Sequence, residues 1–207
     1  MTPTRNPAVV LGTLISLGAI ALSACSSGSD GSASGTAASS AHGGTPVTGG
    51  TFRLGILGTP QKLDPIEAAS FSEGIIANNV IDKLVWKDPE TGKVEPWLAS
   101  SWTYNSNLTE FTFKLRKDVT FSDGTPFNAQ VAKDNIDQRA LGNSGLGLAA
   151  DTGHFPNYAS TTVVDPYTIT VKFTKPNAGY LDIAGFEGNN PQGFVSESTL
   201  KLSATQR

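Results

Sequence analysis

The chain has 207 residues, 15 basic against 18 acidic, for a formal net charge of −3, and 38% of it is hydrophobic. This mildly acidic balance argues against nucleic acid or anionic lipid as the main partner. Its single cysteine, Cys25, excludes an internal disulfide framework.

Taken in chain order, the start from Met1 to Asn6 carries one basic side chain, Arg5, and leads into an uncharged stretch from Ala8 to Leu22. That stretch falls short of the roughly 20 apolar residues a membrane span needs. A charged start, a short apolar middle and a small-residue exit have the layout of a secretory signal. The exit, Leu22-Ser23-Ala24-Cys25, resembles the bacterial lipobox. That resemblance implies a diacylglycerol thioether on Cys25, cleavage after residue 24, and a membrane anchor on a soluble body. Without residues 1–24 the chain keeps 183 residues, with 14 basic and 18 acidic side chains. Residues 25–48, dominated by Ser, Gly, Ala and Thr, cannot bury a core and read as a flexible linker. Its reach is about 25 Å. His42 lies within it and has no metal-ligating neighbours in sequence.

Alternation in Thr51 to Leu57 predicts a strand, broken at Gly58-Thr59-Pro60. Leu63-Asp64-Pro65 predicts a loop, because proline restricts the residue before it. Ser70-x-x-Glu73 is a capping-box pattern, and Ile76, Val80 and Leu84 continue at helical spacing, predicting one buried helix face. The turn cluster Asp88 to Lys93 separates two short apolar pieces, Leu84–Trp86 and Val94–Leu98. Ser101–Tyr104 and Glu110–Arg116 read as a hairpin with Phe111, Phe113 and Leu115 on one face. Asn128 is placed to cap a helix running to about Leu141, with Ala132, Ile136 and Ala140 inward. Residues 142–157 read as a loop, Thr161–Val164 and Thr168–Phe173 as strands, Tyr180–Ile183 as a short helix, and 185–193 as a loop. Mixed elements in this order predict an α+β or α/β fold.

Five segments together resemble a known family: Gly49-Gly50-Thr51-Phe52-Arg53, Leu63-Asp64-Pro65, Glu95 to Trp102, Phe111 to Phe127 and Val163 to Phe173. In order and spacing they are similar to the N-terminal part of the family 5 solute-binding proteins of ABC importers, which include dipeptide-, oligopeptide- and nickel-binding proteins. The resemblance covers residues 49–200. It implies an α/β, periplasmic-binding-protein-like fold of type II (cluster C), with only the N-terminal lobe present. On that analogy residues 49–86 begin the first lobe, 87–181 form its accessory subdomain, and 182–207 return to it. Family members run to about 500 residues, so the chain is expected to be C-terminally truncated, without the opposite jaw.

The implied function is capture of a peptide or similar small solute for a membrane permease. The receptor is expected to be a monomer, lipid-anchored on the outer face of the cell membrane, with no cofactor, no protein-held metal and no nucleic-acid partner. Ligand contacts are expected from the loops 59–65, 142–155 and 188–191 and from the start of the helix at 70–73, with Thr59, Phe71, Ser72 and Asn189 as the named contact residues. At Ser70 and Glu73 the simpler role is capping; Phe71 serves equally as a cleft wall or as core. Trp97 and Trp102 read as packing residues. His154 has only Asp151 nearby in sequence, too few ligands for a metal, and no nucleophile motif is present. Two rival readings remain: a truncated fragment that binds nothing, and a secreted hydrolase on an unrelated scaffold.

Overall fold

The computed structural model describes residues 48–67, 70–185 and 192–207. The signal, Cys25, nearly all of the linker, and Asn189 with most of its loop lie outside the described residues. The chain divides into two units, Met1–Thr51 and Phe52–Arg207. Of the first unit only residues 48–51 are described, without regular structure.

The second unit is built on a four-stranded antiparallel sheet of β3 (Ala99–Tyr104), β4 (Glu110–Leu115), β6 (Thr168–Phe173) and β5 (Tyr158–Asp165), in that spatial order. A separate antiparallel pair joins β1 (Val85–Lys87) to β2 (Val94–Pro96). Alternation dictates which face is buried. Phe111, Phe113 and Leu115 of β4 and Ile169, Val171 and Phe173 of β6 point into the core. On the other face Thr112 meets Thr170, their hydroxyls 2.8 Å apart across the strands. Helix α2 (Ala129–Leu141) packs against β5 and β6. It starts where Asn128 accepts the Val131 N–H at 3.0 Å, and it buries Ala132, Ile136 and Ala140. Helix α3 (Tyr180–Ala184) inserts Tyr180 among Phe111, Phe113, Phe155 and Phe173, with ring centroids 4.8–6.1 Å apart. Helix α4 (Glu197–Leu200) follows.

Two expectations are corrected. Thr51 to Leu57 belong to no sheet, and Phe52 (86%) and Leu57 (95%) are exposed. Alternation marks strand-forming residues, but a strand needs a partner, and among the described residues none pairs with this segment. The helix expected to run to Leu84 is only α1 (Phe71–Ala77). Beyond it the Asn79 side chain donates to the Ile75 carbonyl at 2.7 Å, capping the end. Val80 is exposed, while Leu84 enters the core just before β1. A β-branched pair, Val80-Ile81, follows that cap and does not favour further helix.

Candidate functional site

Of the residues expected to meet solute, Thr59, Phe71 and Ser72 lie on the loop after Leu57 and the first turn of α1, while Asn189 lies outside the described residues. Thr59 is exposed on the loop. Phe71, the first residue of α1, is 67% exposed, a large apolar side chain left in solvent. Ser72 is buried, and its hydroxyl donates to the Leu57 carbonyl at 2.5 Å. It therefore ties the helix to the loop.

The loop has no secondary structure of its own and is held by side chains. Glu73, 6% exposed, completes the capping box: the Glu73 N–H donates to Ser70 Oγ, and the Ser70 N–H donates to Glu73 Oε2 at 3.0 Å. Its other oxygen, Oε1, accepts the N–H groups of Gln61 and Lys62 at 2.9 and 3.0 Å. Further along, Asp64 accepts from the Ile66 N–H through Oδ1 and from Arg207 Nη1, at 3.0 Å, through Oδ2. That ion pair is buried on both sides. Arg207 spends its other donors on the Leu202 and Leu200 carbonyls and on Gln138. The Pro65 carbonyl accepts from Arg139 Nη2 at 2.6 Å. Burial pulls the Arg139 guanidinium below its ordinary value, partly offset by the charges of Asp151 and Asp64. Lys62 pairs with Glu67 and donates to the Ala204 carbonyl at 3.1 Å.

The loop 142–157 is also tightly closed. Gly142 has φ +70°, and a Cβ there would lie 2.7 Å from Ala150 N and Leu148 O, so only glycine fits. A single 3₁₀ turn, Ser144–Leu146, interrupts the loop. His154 Nδ1 stands 3.0 Å from both carboxylate oxygens of Asp151. Trp97 and Trp102 pack against the core, and the Trp97 indole N–H donates to Asp82 at 2.7 Å.

A concavity that sequence reasoning missed lies elsewhere. An open cleft of about 560 Å³ is bounded by Val80–Asp82, Val119–Asp123 and Phe194–Ser196, with Ser198 and Thr199. Its aromatic lining joins Phe121 and Phe127, on either side of one turn, to Phe194, which is remote in sequence. No local pattern could have joined Phe194 to the other two.

The family model for bacterial extracellular solute-binding proteins, family 5 Middle, matches residues 93–200. The chain belongs to this family. Within it, the glutathione-binding protein GsiB of Escherichia coli K12 is 30% identical over 121 residues, which are 58% of this chain and 23% of that protein. NikA from Brucella suis, solved in complex with Fe(III)-EDTA, is 30% identical with a TM-score of 0.52, covering 68% of this chain and 27% of NikA. DppA from Helicobacter pylori, solved with the peptide STSA, has 21% identity and a TM-score of 0.55, covering 66% and 29%. The fold is thus periplasmic-binding-protein-like and α/β in class, although both described sheets are antiparallel. This family 5 chain spans about a quarter of the length of those relatives, of which GsiB and DppA are binding proteins by name. Among its described residues no helix is long and apolar enough to cross a membrane.

Proposed function

We propose that the chain acts in a solute receptor of an ABC importer, capturing peptides or a similar small polar solute at the wall formed by Thr59, Phe71 and Ser72 and presenting it to a membrane permease. The observation that carries this reading is the family match over residues 93–200. It is supported by an exposed aromatic beside a loop whose backbone is already fixed. In this reading residues 49–86 open the first lobe, 87–181 form its accessory subdomain and 182–207 return to it. The receptor works as a monomer without a cofactor. Asn189, outside the described residues, belongs to the same proposed contact set.

Calorimetry with glutathione and a panel of di- to tetrapeptides tests the reading. Saturable binding in the micromolar range is expected. Phe71→Ala should weaken it about tenfold, the scale of losing one aromatic contact. Phe121→Ala, which alters the separate cleft, should leave the affinity within about twofold. No saturable binding to any member of the panel would sink the proposal.

The lipobox-like exit supports a receptor on the outer face of the cell membrane, tethered by acylated Cys25 and the linker to residue 48. One acyl chain is a marginal anchor, and two or more hold firmly. Mass spectrometry of the membrane fraction should find the diacylglycerol adduct on Cys25, and Cys25→Ser should release the protein into the medium. An unmodified thiol on a membrane-retained protein would reject this anchor.

A further inference from the structure

We propose that Glu73 is the positioning residue of the solute-facing wall, fixing Thr59 on the loop relative to Phe71 on the helix through the backbone amides of Gln61 and Lys62. The proposal rests on the solute-receptor reading of that wall.

The capping box alone would account for one carboxylate oxygen, bonded to the Ser70 N–H at 3.0 Å. The second oxygen does something a cap does not require. It accepts two consecutive amides eleven and twelve residues earlier in the chain, at 3.0 and 2.9 Å. Both belong to a segment with no helix or strand to satisfy its backbone, so this carboxylate supplies the acceptor that secondary structure otherwise would. Burial strengthens such bonds, because the low local dielectric leaves little water to compete for them.

The placement matters as much as the strength. Gln61 lies two residues after Thr59, and Glu73 lies two residues after Phe71. One side chain therefore joins the loop that carries the first contact residue to the helix that carries the second. At the far end of the loop Asp64 and Pro65 are held by Arg207 and Arg139. The intervening backbone is anchored on both sides before any solute arrives. A wall ordered in advance spares the solute the entropy of ordering it, so losing the anchor should show as lost affinity. The same geometry shapes specificity. The Gln61 and Lys62 amides are occupied by an internal carboxylate and are not offered to an anionic group of the solute.

The test compares Glu73→Ala, Glu73→Gln and Ser70→Ala in the full chain. Amide hydrogen exchange is read at Gln61 and Lys62, and affinity is read by calorimetry with whichever panel peptide binds the parent protein. Ser70→Ala is the structural control: it removes the capping hydroxyl and leaves both loop bonds in place. Glu73→Ala should speed exchange at the two amides by about tenfold or more and weaken binding about tenfold. Ser70→Ala at comparable thermal stability should leave both within about twofold. Glu73→Gln, which keeps an accepting oxygen, should fall between, and it carries the comparison if Glu73→Ala does not fold. Unchanged protection of both amides in the Glu73 variants overturns the proposal. So does an affinity loss no larger than that of Ser70→Ala. If the parent protein binds no solute but Glu73→Ala still unprotects the two amides, the receptor reading fails while the positioning of the loop by Glu73 stands.

Discussion

Tyr180 is 1% exposed, at the centre of the aromatic cluster between β4, β6 and α3. Burial pushes its phenol well above the ordinary tyrosine range. Burial also raises Tyr158, helped by the Asp137 carboxylate that accepts its hydroxyl proton. Both are raised in the folded state, so their contribution to stability is complete below the unfolded value near pH 10 and is lost as pH climbs beyond it. Arg139 acts in the opposite sense, because its lowered value means that the folded state releases its proton first. With two phenols against one guanidinium, stability should fall as pH rises above about 10. Tyr180→Phe should make that fall shallower in urea titrations taken between about pH 9 and 11. An unchanged slope would show that the phenol is not protected by the core. At this scale the sequence was partly readable. Ser70-x-x-Glu73 announces a capping box because its partners are three residues apart. The bonds from Glu73 to Gln61 and Lys62 reach back through a turn that no periodicity encodes.

Among the elements, α2 was the most legible. Its cap Asn128, its inward residues Ala132, Ile136 and Ala140, and its end at Leu141 all follow from local rules. Asn128→Ala removes the acceptor of the Val131 N–H and should cost about 1 kcal/mol. A thermal melt should register that as a drop of about 2–4 °C in a chain of this size, and a drop below about 0.5 °C would show that the cap contributes nothing. The hairpin of β3 and β4 and the strand β6 were legible for the same reason, since alternation and tight turns are local signals. Residues 51–57 and the C-terminal extent of α1 differ from expectation, because alternation and helical spacing leave the neighbours out. Alternation does not say whether a pairing partner is adjacent. The helical spacing of Ile76, Val80 and Leu84 did not register that Asn78 and Asn79 close the helix two residues later. Helix α4 was not foreseen at all, being four residues long with no periodic pattern.

For the molecule as a whole, order and spacing of several short motifs carried more than any single one. That is why family membership was readable while the composition of the site was not. The 560 Å³ cleft and the buried Asp64–Arg207 pair both join segments that are remote in sequence. The pair has a consequence in time as well as in space. Asp64 and Arg207 are 143 positions apart, and Lys62 reaches Ala204 over 142. Closing contacts of that span is slow compared with forming a hairpin or a helix turn. As the polypeptide is synthesised, the sheet and α2 have all their residues available well before Ala204 and Arg207 appear. The loop bearing Thr59 is therefore fixed in two stages, its Gln61 and Lys62 amides by Glu73 within a dozen residues and its Asp64 end only once Arg207 arrives.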